Sequence, residues 1–192
     1  AWGWPGGSCD VGRYLATSMT ALCEGELLQS QQSDLLGMTR GIYLEIMFKK
    51  TASLISMCSG VGALSAGAPQ QEVDSMREFG RNLGMAFQIR DDILDYSLHA
   101  KTGKPVLGDL REKKITLPLL VVLEKASPAR RQEVLGILSE VVETPGNVER
   151  LGNIVLQEGG LQGASAVMYE YISAARVILS AKPATPYSES LY

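Results

Sequence analysis

The feature that most constrains this chain is a run of apolar and acidic residues at positions 84–96, GMAFQIRDDILDY. A helix has 3.6 residues per turn, so one amide and three carboxylates of this run would share one stripe. These four residues are Gln88, Asp91, Asp92 and Asp95. Most of the other positions are apolar, which predicts a helix packed on several sides with its acids turned towards an interior cleft.

Three carboxylates in a cleft repel one another and are costly to desolvate. They should therefore either take up protons or hold a cation. Carboxylate oxygens without a His or Cys nearby suit hard ions. Mg2+ commonly joins one or two carboxylates to the oxygens of a substrate phosphate. The run therefore favours a magnesium site that acts on a phosphorylated substrate.

Two groups of lysines could supply the positive charge that such a substrate needs. The first, Lys49 and Lys50 with Thr51, lies near the start of a predicted apolar helix. The second follows the acidic run and comprises Lys101, Lys104, Lys113 and Lys114. Cations beside a carboxylate and metal site are typical of a phosphate clamp.

At these positions the chain resembles a known family, the trans-isoprenyl diphosphate synthases, also called polyprenyl synthetases. Residues 87–95, FQIRDDILD, resemble that family's second aspartate-rich motif, FQxxDDxxD. Residues 103–110, GKPVLGDL, and residues 114–119, KITLPL, resemble the segment that follows this motif. The motif and the segment occur in the family's order, which makes the resemblance specific.

Two earlier segments carry the same resemblance: Tyr43 with KTASL at 50–54, and GELLQ at 25–29. The resemblance covers roughly residues 10–192 and corresponds to the C-terminal part of a full synthase. Residues 1–9 are predicted to form an irregular N-terminal end. The family's first aspartate-rich motif is not found in this sequence. The implied fold is an all-α, isoprenoid-synthase-type helical bundle that carries one of the family's two acidic helices.

The resemblance implies a prenyltransferase of isoprenoid biosynthesis that elongates an allylic prenyl diphosphate with isopentenyl diphosphate. It implies Mg2+ as the cofactor, with Asp91 as the main ligand and with Asp92 and Asp95 supporting it directly or through water. It also implies a homodimer. The implied substrate-binding residues are Lys50, Thr51, Phe87, Gln88, Lys104 and Lys114, and all of these except Phe87 are implied to take part in catalysis.

The composition of the chain bears on its partners, its compartment and a possible membrane span. A net charge of -3 with 45% hydrophobic and 20% charged residues describes an ordinary globular protein and gives no support to a nucleic-acid partner. The three cysteines have neither paired nor metal-ligand spacing, so they are predicted to be free thiols in the cytoplasm or an organellar matrix. Residues 54–68 lack charge, but their Ser and Gly content favours a buried helix over a membrane span.

Periodicity and breakers predict the order of the helices. Thr39 is a plausible N-cap for a long helix that follows it. Residues 97–114, with the only histidine at His99, are predicted to form a loop. The predicted helices span residues 10–32, 40–66, 70–96, 116–125, 128–143, 146–157 and 160–181.

Three alternatives remain open at this point. The chain could be a non-catalytic partner subunit of a heteromeric synthase, although such a subunit has no need of intact acidic and lysine motifs. It could be an acidic helical bundle that only binds divalent ions. It could also be a terpene-cyclase-like protein with similar metal chemistry, but the segments GK at 103–104 and KITLP at 114–118 favour chain elongation.

Overall fold

The computed structural model describes residues 8–31, 37–96 and 107–191. All regular elements within these ranges are helical, which confirms the all-α prediction. His99, Lys101 and Lys104 lie outside the described residues, as do residues 1–7 of the predicted irregular end. The described helices are α1 (Ser8–Gln31), α2 (Arg40–Met47), a π-helical segment (Phe48–Ala52), α3 (Ser53–Ser65), α4 (Gln70–Asp95), α5 (Gly108–Arg111), α6 (Leu117–Lys125), α7 (Pro128–Ser139), α8 (Asn147–Gln157), α9 (Gly160–Ser180) and α10 (Pro186–Glu189).

The helix predicted over residues 40–66 is present, but it changes its winding in the middle. It begins as predicted at Thr39, whose hydroxyl accepts a hydrogen bond from the N–H of Ile42 at 3.3 Å. The π-helical segment then joins α2 to α3. In the part of the chain that the structure describes, no helix is both long and apolar enough to cross a membrane.

The chain divides into two compact units. The first unit draws on the ranges Ala1–Ser30, Leu44–Gln88 and Tyr169–Tyr192. The second draws on Gln31–Tyr43 and Ile89–Met168. Helix α4 contributes its residues through Gln88 to the first unit and its last two turns to the second.

The first unit is held together by apolar side chains and by glycines at a helix contact. Phe79 of α4 packs with Ala175 and Leu179 of α9 in a buried cluster. A Cβ atom at Gly80 would lie 2.6 Å from the carbonyl oxygen of Ile55, so α3 and α4 approach too closely there for any larger residue. The prediction that the uncharged α3 segment is a buried helix holds only for the face that contains Ser53, Ser56 and Gly60, because Leu54 and Cys58 are exposed.

The second unit is organised around α6, whose residues Leu117–Leu123 are all buried. Helix α8 packs against α5, α6 and α7. Its buried residues include Leu151 and Val155. Gly163 of α9 lies against Val121, where an added Cβ would come within 2.4 Å of that side chain. The core of this unit is therefore built from short helices, as the sequence predicts for the region after residue 116.

Several helices differ from the predictions, and α1 already begins at Ser8 instead of residue 10. Helix α7 ends at Ser139 instead of continuing to residue 143. The reason is that other groups satisfy its last carbonyls: Lys113 Nζ donates to the Ser139 carbonyl at 2.6 Å, and the Asn147 amide donates to that of Ile137 at 3.4 Å. The expected loop at 97–114 contains α5, and α10 is an additional helix near the C-terminus.

Candidate functional site

The first group of predicted phosphate-binding lysines, Lys49 and Lys50, lies on the π-helical segment Phe48–Ala52. Its winding is defined by the N–H of Ser53, which donates to the carbonyl of Phe48 five residues earlier. Such segments are rare and occur often at functional sites. Lys50 and Thr51 therefore project from a backbone that differs from an ordinary α-helix.

Two glycines in the first unit fit closely against this segment from neighbouring helices. At Gly25 of α1, an added Cβ would lie 2.8 Å from Lys49 Cβ and 3.2 Å from the backbone nitrogen of Lys50. At Gly84 of α4, it would lie 2.6 Å from Ala52 Cα. Real Cβ atoms essentially never come within 3.0 Å of another heavy atom, as they would at Lys49 Cβ and at Ala52 Cα, so these two positions require glycine for the observed packing.

The side chains that the sequence singled out around Lys50 come together in this unit. The Lys50 ammonium donates to the Gln29 amide oxygen and forms an ion pair with Glu26 at 3.0 Å. Thr51 donates its hydroxyl proton to the Gln88 amide oxygen at 3.1 Å. The contact joins two residues that the resemblance places in the same substrate site, although they are 37 positions apart.

The neighbouring lysine has different partners. Lys49 forms ion pairs with Glu24 at 3.1 Å and with Glu45 at 3.0 Å. Hydrogen bonds from its ammonium to Glu45 and then to Glu24 raise the pKa of Lys49. Lys49 is thus bound by two carboxylates, whereas Lys50 is bound by one carboxylate and one amide.

The last three aspartates of α4 belong to the second unit and have three different environments. Asp91 is exposed, Asp92 is buried and Asp95 is half-buried. Asp92 accepts a hydrogen bond of 2.6 Å from the hydroxyl of Tyr43, which is itself only 2% exposed. A hydrogen bond of this kind to a carboxylate is strong and compensates part of the cost of burying the charge.

Asp95 acts as a cap for the short helix α5. One of its carboxylate oxygens accepts the N–H of Gly108 and the other accepts the N–H of Asp109, both at 3.0 Å. These N–H groups belong to the first turn of α5 and would otherwise lack helical partners. Both oxygens of Asp95 are therefore used in a contact that stabilises the local fold.

Asp109 and Tyr96 lie near the same aspartates. Burial, followed by the charge of Asp95, raises the pKa of the Asp109 carboxyl. Burial also raises the pKa of the Tyr96 phenol far above its usual range, and the nearby carboxylates of Asp109 and Asp95 add to this effect. Lys114 pairs with Glu112 at 2.6 Å, a hydrogen bond that raises the pKa of the lysine.

The fit of this arrangement to a metal ion can be judged from its donors. Among the described residues, no three His, Cys, Asp or Glu side chains lie close enough together to hold a metal ion. The carboxylate of Asp91 is nevertheless of the donor type that Mg2+ prefers, and it is exposed. Mg2+ often uses only one or two protein carboxylates, completing its shell with water and substrate oxygens. The residues fit that mode of binding and do not fit a closed cage of protein ligands.

One expectation about α4 is wrong. The sequence predicts a helix covered on several sides, and Met85 and Ile89 are indeed buried. The side chains of Phe87 and Leu94, however, are 59% and 44% exposed, together with Leu83 on the same face. Phe87, predicted to contact substrate, therefore lies on an exposed apolar face of the helix.

Sequence reasoning missed the partners that fix the site residues. Tyr43 was noted only as part of a family segment, and its contact with Asp92 spans 49 positions. The spacing of seven residues between Tyr43 and Lys50 is the signal that was available, since it corresponds to two helical turns. Glu45 lies four residues before Lys49, a spacing typical of an ion pair on a helix, whereas Glu24 has no such signal in the sequence.

The chain is similar in sequence to known isoprenyl diphosphate synthases. The family described as "Polyprenyl synthetase" matches residues 7–155. A short chain isoprenyl diphosphate synthase of Methanothermobacter thermautotrophicus is 35% identical over 160 residues, which cover 83% of this chain and 49% of that protein. The octaprenyl diphosphate synthase of Escherichia coli is 30% identical over 190 residues, which cover 96% of this chain and 57% of that protein.

Among solved structures, a polyprenyl synthase from Caulobacter crescentus complexed with calcium and isoprenyl diphosphate superposes with a TM-score of 0.87 and 34% identity. The match covers 96% of this chain and 56% of that one. The likeness confirms the predicted isoprenoid-synthase-type helical fold. The chain spans about half the length of the curated relatives it matches.

Proposed function

Because this chain belongs to the polyprenyl synthetase family, we propose that it is part of a trans-prenyl diphosphate synthase, which elongates an allylic prenyl diphosphate with isopentenyl diphosphate. Residues 10–192 would correspond to the C-terminal part of such an enzyme. The observation that carries the proposal is the contact of Thr51 with Gln88 beside Lys50, because it assembles three residues of two separate family segments.

In this reaction the bond between the allylic carbon and the diphosphate oxygen breaks, and the diphosphate leaves with the electron pair. The double bond of isopentenyl diphosphate then attacks the allylic cation, a carbon–carbon bond forms and a proton is lost to the departing diphosphate. The protein must therefore stabilise negative charge that develops on the leaving group. Lys50 and Lys114 would do so as cations, and Lys104 is assigned the same role from the resemblance.

The other residues would orient the substrate. The Gln88 amide nitrogen would donate a hydrogen bond near the reacting carbon and the leaving group, and the Thr51 hydroxyl, which donates to the Gln88 amide oxygen, would orient that amide. Phe87 would contact the apolar prenyl chain with its exposed ring. Asp91 would hold Mg2+, which when bound supplies positive charge to the diphosphate. Asp92 accepts a hydrogen bond from Tyr43, and Asp95 accepts two from α5. Both would support Asp91 in binding the ion, directly or through water.

Two further assignments rest on the resemblance. The protein would act as a homodimer, which light scattering of the purified chain would measure. It would work in the cytoplasm or an organellar matrix. The cysteines whose side chains are described, Cys23 and Cys58, are free and exposed thiols, which agrees with a reducing compartment.

The experiment that tests the proposal combines binding and turnover. Calorimetry would measure the affinity for farnesyl diphosphate in the presence of Mg2+, and product analysis after adding isopentenyl diphosphate would measure elongation. We expect Asp91→Ala and Lys50→Met to weaken binding at least tenfold and to remove any elongated product. Lys49→Met is the matched control, because its ammonium is already bound by two carboxylates. Unchanged binding in Asp91→Ala and Lys50→Met would contradict the proposal.

A further inference from the structure

Lys49 and Lys50 form ion pairs with more negative charge than the two lysines carry. Lys49 and Lys50 bear two positive charges, and their ion-pair partners Glu24, Glu45 and Glu26 bear three negative ones. A free polyphosphate anion approaching this group would therefore meet repulsion as well as attraction. The sequence pattern alone suggested a simple cationic clamp.

Lys50 is the better placed of the two to bind an anion, and Glu26 is the carboxylate that it would have to leave. The Lys50 side chain is partly exposed and interacts with the Gln29 amide as well as with Glu26. The Glu26 carboxylate, 3.0 Å from the Lys50 ammonium, competes directly with any phosphate oxygen for that ammonium. Lys49 has two such partners and would lose two ion pairs on binding the same anion.

Glu26 is also held in place by the backbone. It follows Gly25. At that residue α1 lies so close to the π-helical segment that an added Cβ would be 3.2 Å from the backbone nitrogen of Lys50. The helix that carries Glu26 therefore cannot withdraw from Lys50 without breaking this contact. The side chain can rotate away from the ammonium, but its backbone stays beside the π-helical segment that carries Lys50.

We propose that Glu26 makes the Lys50 site discriminate against metal-free diphosphate and in favour of diphosphate that is complexed with a divalent cation. The inference rests on the proposed function, since it takes Lys50 as a diphosphate-binding residue. The physical reason is Coulombic. A free diphosphate carries several negative charges and is repelled by the Glu26 carboxylate, whereas a complexed one carries fewer, so the same carboxylate costs it much less.

The test is the affinity of the purified chain for inorganic pyrophosphate, measured by calorimetry once with excess Mg2+ and once with a chelator. Glu26→Gln keeps the shape and the hydrogen-bonding oxygen of the side chain and removes its charge. We expect it to raise the affinity for metal-free pyrophosphate about three- to tenfold, and to change the affinity in Mg2+ by less than about twofold. The ratio of the two affinities would fall accordingly.

Glu24→Gln is the matched control, because it removes an equal charge from the same helix but from the partner of Lys49. It should leave the ratio close to that of the wild type. An equal gain in both conditions for Glu26→Gln, no gain without metal, or the same fall in ratio for Glu24→Gln would each overturn the inference. Circular dichroism would show that each variant is folded.

Lys50→Met separates this inference from the proposed function. If it lowers the affinity in Mg2+ and Glu26→Gln fails to change the ratio, the diphosphate site stands and the role of Glu26 is wrong. If Lys50→Met has no effect in either condition, or if the wild type binds no pyrophosphate at all, the diphosphate site itself is wrong and the inference falls with it.

Discussion

The candidate residues of the first unit and those of the second are fixed by different means. In the first unit, Lys50 and Thr51 lie on a π-helical segment that fits closely against glycines of α1 and α4. In the second, Asp92 and Asp95 lie on the regular helix α4 and are held by hydrogen bonds from Tyr43 and from α5. One part depends on close backbone packing, and the other depends on polar contacts.

Because of this difference, the two groups of residues should tolerate different substitutions. Close packing of backbones fails abruptly when a single carbon is added, because neither helix can move without disturbing its own hydrogen bonds. A polar contact fails by the amount of one hydrogen bond and the cost of leaving a buried partner unsatisfied. The lysine-bearing part should therefore be the more sensitive to added volume, and the aspartate-bearing part to lost donors.

The largest effect is expected at Gly84. Gly84→Ala would place a Cβ 2.6 Å from Ala52 Cα and should lower the free energy of unfolding by about 2–3 kcal/mol. Gly62→Ala in α3 is the matched control, since no atom lies within 4 Å of its Cβ position, and it should be neutral or stabilising by up to about 1 kcal/mol. Urea unfolding would measure both. Similar changes for the two variants would show that the π-helical segment is not held by packing.

A smaller effect is expected when the donor to Asp92 is removed. Tyr43→Phe keeps the ring but leaves the buried carboxylate without this hydrogen bond, and should cost about 1.5–3 kcal/mol. Tyr187→Phe, on a ring that is 84% exposed, should change the stability very little. Thermal unfolding of the two variants would compare them. If Tyr187→Phe lowered the stability as much as Tyr43→Phe, the hydrogen bond to Asp92 would not be the cause of the loss.

The contrast between two aspartates of one helix comes next. Asp95→Ala removes the cap of α5 and should cost about 1 kcal/mol of stability. Asp91→Ala, at an exposed position, should leave the stability nearly unchanged while it weakens Mg2+-dependent binding of pyrophosphate. Chemical denaturation and calorimetry would give the two quantities. A loss of stability in Asp91→Ala larger than in Asp95→Ala would reverse the roles assigned to them.

The smallest effect concerns surface charge in the second unit, away from the aspartates. The hydrogen bond from Arg130 lowers the pKa of Glu133, and the charge of Arg150 acts in the same direction. A lowered pKa in the folded state stabilises the protein above the ordinary pKa of the carboxyl, and this contribution disappears as the pH falls through the lowered value. Glu133→Gln should therefore reduce the melting temperature slightly at pH 7 and leave it unchanged at strongly acid pH.

High salt should diminish the small difference at pH 7, because the group is exposed and its ion pairs are screened. Melting temperatures across pH and at two salt concentrations would test this. A difference that persists at low pH would mean that the glutamate acts through packing instead of charge.

Much of the helical framework could be predicted from the sequence because its signals are local. Periodicity and breakers predicted a helix over residues 70–96, and the structure places α4 at Gln70–Asp95. Thr39 predicted the start of α2, since a hydroxyl at that position can accept a backbone N–H. The end of α7 was predicted wrongly because Lys113 and Asn147, which bind its last carbonyls, come from other parts of the chain.

The sequence by itself determined the helical fold class, the family and the residue types of the candidate site, because these depend on local periodicity and on motif spacing. The tertiary structure decided how those residues are used. It wound Lys50 into a π-helical segment beside Gly25, paired that lysine with Glu26, and bound Asp92 to Tyr43. Each of these contacts joins residues many positions apart, and only close packing of the helices brings such residues within bonding distance.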